Sequence, residues 1–295
     1  MTDKGMPAWA QALPLAAVFV VFFVVPLLLT VMVSFWNYNE YEILPDFTLR
    51  NYLEAFEGCG RRLWSAPPEL CTTLKTYLTT LRICGMVWLI TLLLGFAIAY
   101  FLAFHVRSLT MQIVLFLVCT IPFWTSNVIR MISWIPLLGR NGLINQTLQK
   151  LHLVEHPVEW LLFSDFAVVL AFVHLYTLFM IVPIFNSMMR IDRALLEAAR
   201  DAGASGWQTL TNVVVPLSKP GIAIGSIFVL TIVMGDFVTI GVMGGQQIAS
   251  VGKMINTQMG ALQFPPAAAH AVILLGTVLI IIWALTRLID IRKEL

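Results

Sequence analysis

LLEAARDAGASGWQTLTNVVVP, residues 195–216, is polar and helix-prone, yet it lies between long runs of nearly unbroken hydrocarbon. Prolines flank it at Pro183 and Pro220. Why such a segment stays in water decides how the whole chain is read. Of 295 residues, 59% are hydrophobic and 12% charged, and the mean hydropathy is +0.86. A soluble domain is about one-quarter charged, so this is the composition of an integral membrane protein. No polar stretch is long enough for a separate domain with its own core. A net charge of +2 leaves no electrostatic footprint for nucleic acid.

A helix that crosses a bilayer takes roughly 20 apolar residues. Six segments meet that length, at about 12–36, 78–104, 111–134, 166–188, 221–243 and 267–288. The first has only Lys4 as a strong positive charge before it, a long apolar core and no A-x-A site, so it reads as a retained span rather than a signal peptide. The expectation is an all-α membrane protein of one domain, 1–295, with six spans and both termini on one side.

Lysine and arginine density assigns that side. With the termini inside, the inner segments hold Lys4, Arg107, Arg190, Arg193, Arg200, Lys219, Arg287, Arg292 and Lys293. The longer outer loops hold Arg50, Arg61, Arg62, Lys75, Arg140, Lys150 and Lys253. The bias predicts cytoplasmic termini, and it places the opening stretch, within loop 189–220, in the cytoplasm.

That stretch reads as two short helices joined by a turn. Asp192 suits the cap of the first, and Leu195, Leu196 and Ala199 give it a small apolar face. Gly203 fits the left-handed position that often follows a helix. Ser205 with Gln208 three residues on is a capping box for the second helix, which Pro216 is expected to stop because proline lacks a donor and clashes with the preceding turn. Physics alone leaves two readings open, an amphipathic loop resting on the membrane and a docking surface.

The residues then match a pattern. Glu197-Ala198-Ala199, three residues, Gly203, nine residues and Val213-x-Val215-Pro216 resemble the EAA loop of ABC importer permeases, EAA-x3-G-x9-I-x-L-P, with two apolar exchanges. The resemblance implies coupling helices that seat in a groove of a cytoplasmic ATPase dimer. It also implies a second, similar permease subunit, a periplasmic substrate-binding protein and a bacterial inner-membrane location. PFWTSNVIRMISWIPLLGRNGLIN (122–145), IDRALLEAARDAGAS (191–205) and GDFVTIGVMGG (235–245) are similar to the permeases of spermidine/putrescine importers, of the first permease subunit type. Import of polyamine-like cations is therefore expected. An opine, an amino-acid-like compound or an inorganic anion is the alternative, because loop 37–77 matches less well. Loops 37–77 and 140–163 are expected to receive the binding protein.

An enzyme is the distant alternative. SVGKM, 250–254, lacks a P-loop's earlier glycine, where Gln247 stands, and its Ser or Thr, where Met254 stands. ATP is thus expected on a partner subunit, with no cofactor on this chain. The histidines show no HExxH spacing, and Cys59 and Cys71 have no histidines nearby, so no metal site is expected. His174 stands alone in the fourth span, either a proton or ligand contact or a packing residue.

Asp236 is the clearest intramembrane carboxylate. A charge at that depth adds roughly 2.5–3.5 kcal/mol to insertion, so it should face the bundle interior or water. Counted along straight spans, Arg130 could meet it. Two readings stand: an Asp236–Arg130 ion pair, or a carboxylate lining the substrate path with Trp124 and Tyr176 offering aromatic faces to a cation. Gly221-x3-Gly225 reads as a helix-packing face. In the first outer loop an oxidising periplasm permits a Cys59–Cys71 disulfide; Cys84 and Cys119 lie in spans as packing residues.

Overall fold

The computed structural model describes residues 8–39, 42–59, 71–245 and 247–288. Lys4, Arg61, Arg62, Arg292 and Lys293 of the charge comparison lie outside the described residues. The helices run in the order α1 (Ala8–Phe19), α2 (Val25–Val33), α3 (Arg50–Ala55), α4 (Thr72–Tyr100), α5 (Leu109–Thr120), α6 (Asn127–Ile132), α7 (Ile135–Leu138) and α8 (Leu143–Lys150). They continue with α9 (Asp165–Met188), α10 (Arg193–Asp201), α11 (Gly206–Thr209), α12 (Val215–Leu217), α13 (Lys219–Gly235), α14 (Val238–Met243), α15 (Val251–Gly260) and α16 (Phe264–Leu288). One two-stranded ribbon, Asn37–Tyr38 against Ile43–Leu44, is antiparallel. The chain divides into two compact units, Met1–Leu74 with Met254–Leu275, and Lys75–Lys253 with Gly276–Leu295.

In the first unit, Ala12–Val33 is apolar all round and none of it is buried, as befits a helix whose surroundings are lipid or another chain. Its end is pinned by a polar knot. Asn51 Nδ2 donates to the carbonyls of Ser34 (2.9 Å) and Trp36 (2.8 Å), and the Ser34 and Tyr52 hydroxyls share a 2.6 Å hydrogen bond. Cys59 and Cys71, twelve residues apart, are joined, with Cα atoms 4.8 Å apart.

The second unit centres on α9 and α13. Between apolar helices in lipid, close backbone approach and dispersion replace the hydrophobic drive of a soluble core. Here the approach is supplied by Gly221 and Gly225. A Cβ on Gly221 would lie 2.5 Å from the Pro183 carbonyl oxygen, and one on Gly225 would lie 2.7 Å from Met180 Sδ. From α4, Trp88 Nε1 donates to Ser226 Oγ at 2.8 Å. Phe172, Met180, Ile184, Val229 and Met234 fill the space between.

Among the described residues four helices are long and apolar enough to cross a membrane unbroken, and two bent pairs pass only when each is counted as one span. The expected third span, 111–134, turns by 92° between Leu109–Trp124 and Asn127–Lys150. Pro122 cannot donate, the turn tightens to a 3₁₀ helix over Ile121–Trp124, and Thr125 and Ser126 are extended, which ends the hydrogen-bond ladder. The expected fifth span, 221–243, stops at Gly235; Asp236 is extended with ψ 113° and α14 starts anew. Counting heights along straight spans for Arg130 and Asp236 therefore fails.

Pro216 does not stop its helix either. Leu210–Val214 widens to a π turn in which the Val215 N–H bonds the Leu210 carbonyl, and helix continues to Leu217. The same device precedes Pro26: Val20–Val24 is a π turn and the Val25 N–H bonds Val20. A π turn leaves one carbonyl without its usual partner, and proline is the residue with no N–H to offer. The break falls instead at Ser218, a 65° bend between Gly206–Leu217 and Lys219–Gly235.

Candidate functional site

The polar loop takes its shape from local hydrogen bonds. Asp192 Oδ1 accepts from the Ala194 N–H at 2.9 Å and starts α10. At its end the Gly203 N–H bonds the Arg200 carbonyl (2.8 Å) and the Ala204 N–H reaches back to Ala199 (3.0 Å). These are the paired bonds of a Schellman cap, and Gly203 takes the φ of +82° that the motif requires. The capping box follows: the Ser205 N–H donates to Gln208 Oε1 at 2.7 Å, and the Gln208 N–H to Ser205 Oγ at 3.3 Å.

None of α10 is buried. Glu197 and Ala198 are exposed and Ala199 is half-buried, so the EAA triplet lies on the loop's surface. Glu197 has no ion pair or side-chain hydrogen bond among the described residues. Leu195 and Trp207 are exposed as well, Trp207 to 72%, and large apolar groups without cover mark a surface that meets something.

The second group of candidates gathers where α13 ends. Tyr176, buried on α9, donates its hydroxyl to Asp236 Oδ2 at 2.5 Å. Thr239 adds its N–H to Oδ1 (2.9 Å) and its hydroxyl to Oδ2 (2.8 Å). The Asp236 carboxylate is thus oriented from two elements while the backbone around it is open. Gly252, at the start of α15, lies against this break; a Cβ there would be 2.8 Å from the Gly235 carbonyl oxygen.

Arg130 does not pair with Asp236 among the described residues. It is 7% exposed and donates to Asn127 Oδ1 on its own helix, and its Nε has no partner. Its helix, α6, nevertheless packs against both α9 and α14, the elements that carry Tyr176 and Thr239. The ion-pair geometry is missed because the 92° bend swings α6 out of line with α5.

Trp124 is not brought to this group. It is 85% exposed and makes no ring contact among the described residues. Its neighbour Phe123 instead meets Phe179 edge-on at 5.6 Å, and Phe179 meets Tyr176 at 6.1 Å. His174 accepts the Trp134 indole N–H on Nδ1 at 3.0 Å, a structural bond that holds α9 to the segment between α6 and α7. Cys84 is buried and Cys119 half-buried, both as thiols. No group of three metal-ligating side chains occurs among the described residues.

Thr239 was not singled out by sequence. Its signal was there: D-x-x-T, a side-chain acceptor three residues ahead of an N–H donor, marks a helix start, but it is hidden within an apolar run read as one span.

Three comparisons place this geometry. Residues 6–293 match the family described as binding-protein-dependent transport system inner membrane component. The chain is 32% identical over 225 residues to the spermidine/putrescine transport system permease protein PotB of Escherichia coli (strain K12), covering 75% of this chain and 81% of that one. To the protein of the same name from Haemophilus influenzae it is 31% identical over 257 residues, 84% and 82% of the two chains. Among solved structures, a bacterial alginate ABC transporter bound to its alginate pentasaccharide-loaded periplasmic protein matches with a TM-score of 0.73 over 97% of this chain and 94% of that chain, at 18% identity.

Proposed function

This chain belongs to the family of binding-protein-dependent transport system inner membrane components, and from its similarity to the spermidine/putrescine permeases we propose that it carries polyamine-like cations across the bacterial inner membrane. It is a permease subunit and not an enzyme; ATP is hydrolysed on a separate ATPase. We assign loop 189–220 to the seating of that ATPase, with Glu197, Ala198, Ala199, Gly203 and Pro216 as its motif. Exposed Leu195 and Trp207 beside a fully capped α10 support this role, because the loop's apolar groups have no cover of their own. A second, similar permease completes the pathway, an ATPase dimer drives it, and a periplasmic binding protein delivers to loops 37–77 and 140–163. Both termini lie in the cytoplasm.

One observation carries the substrate class. The Asp236 carboxylate stands at a helix break, held by Tyr176 and Thr239. A carboxylate accepts about four hydrogen bonds, and three are used, so a donor from an ammonium group fits the remaining place. Open backbone at membrane depth is tolerated where it lines a cavity. Tyr176 brings its hydroxyl to the same place, whereas Trp124 makes no ring contact among the described residues.

A second reading has its own observation. Arg130 is buried, donates to Asn127 Oδ1 and keeps Nε unpartnered, and a buried cation with a donor left over favours an anionic group. A substrate with both an amine and a carboxylate would use Asp236 and Arg130 together. Uptake by the reconstituted complex, with its own binding protein, separates the two. For a polyamine, Asp236→Asn abolishes uptake and Arg130→Gln leaves most of it; for an amino-acid-like substrate both variants fail. Wild-type uptake of polyamines by Asp236→Asn removes the cation site altogether.

A further inference from the structure

A cavity of about 560 Å³ opens between the end of α4 and the face of α10. Tyr100, His105 and Arg107 contribute one wall, and Arg193, Glu197 and Arg200 another. Its size is within the roughly 300–1,000 Å³ of small-ligand sites. We propose that it binds a phosphate whose negative charge is not offset by an attached ammonium, carried on an anionic phospholipid or free in solution. The inference rests on the cytoplasmic placement of loop 189–220 and not on the identity of the transported substrate.

Charge is the first argument. Three guanidiniums face one carboxylate, and among the described residues none of the three makes an ion pair or side-chain hydrogen bond. Like charges brought together from two separate segments repel one another, so the arrangement is stable in the presence of an anion that all three can share. Arginine presents a planar fork of donors that matches phosphate oxygens two at a time.

Position is the second. Tyr100 is the last residue of α4, and the π turn Phe101–His105 ends the span. An aromatic residue at a helix end marks the headgroup level, and basic pockets between span ends on the cytoplasmic side are where anionic headgroups bind. Helical spacing is the third. Arg193, Glu197 and Arg200 recur at intervals of four and three, so they share one face of α10. A phosphate bound there ties α10 to the end of α4 and makes the attitude of the EAA helix depend on the anion.

The test uses the assembled complex of permeases, ATPase and binding protein. It is placed in nanodiscs of phosphatidylcholine, of phosphatidylcholine with phosphatidylglycerol, and of phosphatidylcholine with glycerol 3-phosphate added. Native mass spectrometry counts retained ligand, and substrate-stimulated ATP hydrolysis reads the effect on α10. Preferential retention of phosphatidylglycerol with raised hydrolysis identifies a lipid; the same response to glycerol 3-phosphate alone identifies a soluble phosphate. Arg107→Gln with Arg193→Gln lowers retention about tenfold for each guanidinium, the size of one charge-assisted hydrogen bond. Arg107→Lys with Arg193→Lys keeps the charge and most of the retention. A wild-type complex that retains neither ligand above phosphatidylcholine overturns the proposal, whether or not the glutamine variant assembles. So does a folded glutamine variant that retains ligand as wild type does.

Discussion

Gly203 and Gly221 stand eighteen residues apart and are glycine for opposite reasons. Around Gly203 there is open space, with nothing within 4 Å of a Cβ built there, but its backbone sits at φ +82°. Around Gly221 the backbone is ordinary helix and the space is gone: Pro183 O, Ser187 Cβ and Ile184 Cα would stand 2.5, 2.7 and 2.9 Å from a Cβ. Loop 189–220 is ordered by hydrogen bonds between residues close in sequence, whereas the α9–α13 pair is ordered by contact between residues far apart. A loop built the first way can be shifted by a partner without disturbing the spans. A pair built the second way moves as one body.

The strongest way to break this contrast is Gly221→Val. Two of the three clashing atoms are backbone and cannot swing aside, so the helices must part, at about 3 kcal/mol. The extracted permease should show a clearly lowered unfolding midpoint and a reduced level in the membrane. Wild-type values for both would mean that the α9–α13 approach is not tight.

A covalent tie is a third way to order a segment. Removing the Cys59–Cys71 bond through Cys59→Ser releases a loop of twelve residues' separation, worth about 3 kcal/mol to that loop in the chain-entropy account. Faster proteolysis within residues 42–71 is expected, with the second unit's stability unchanged. Intact-mass analysis after alkylation checks the premise, since free thiols at both positions in membrane-extracted protein end it.

Gly203→Val sharpens the comparison from the loop side. A side chain at positive φ adds roughly 1–2 kcal/mol of strain, confined to the turn between α10 and α11. Unfolding of the spans should match wild type while ATP-driven uptake is lost. Gly203→Asn, which tolerates the left-handed region, should keep much of the uptake. Equal uptake by Gly203→Val and wild type would show that the turn's shape does not matter to seating. The smallest effect belongs to Ser205→Ala, which removes one capping acceptor, about 1 kcal/mol of α11. It is read as faster amide exchange at Gln208 with uptake reduced and not abolished.

What was legible from sequence divides along the same line. Asp192, Gly203, Ser205 and Gln208 act through partners two or three residues away, so their spacing already contains the geometry, and the structure places each in its cap. Six apolar stretches were legible as well. The breaks inside two of them were not, because hydropathy over about 20 residues averages across Ser126 and Asp236 without registering that the ladder ends there. The relation of Arg130 to Asp236 depended on those breaks, and so did the place of Trp124. Met180 against Gly95 and Gly225 joins positions that no local pattern connects.

The wide turn ahead of Pro216 has a rotational consequence. One residue more than an α-helical turn needs advances everything on one side of it by about 100° relative to the other. Leu210–Val214 therefore sets the azimuth at which α11, and through the cap at Gly203 the face of α10, is presented relative to the segment entering α13. Restoring a donor with Pro216→Ala would let the ladder close in α register. The outward face of the loop would then point elsewhere with its sequence unchanged: Trp207 would sweep around the axis by about a quarter of a revolution. In this loop the register of five residues fixes a direction, in the way the pitch of a screw fixes where its slot comes to rest.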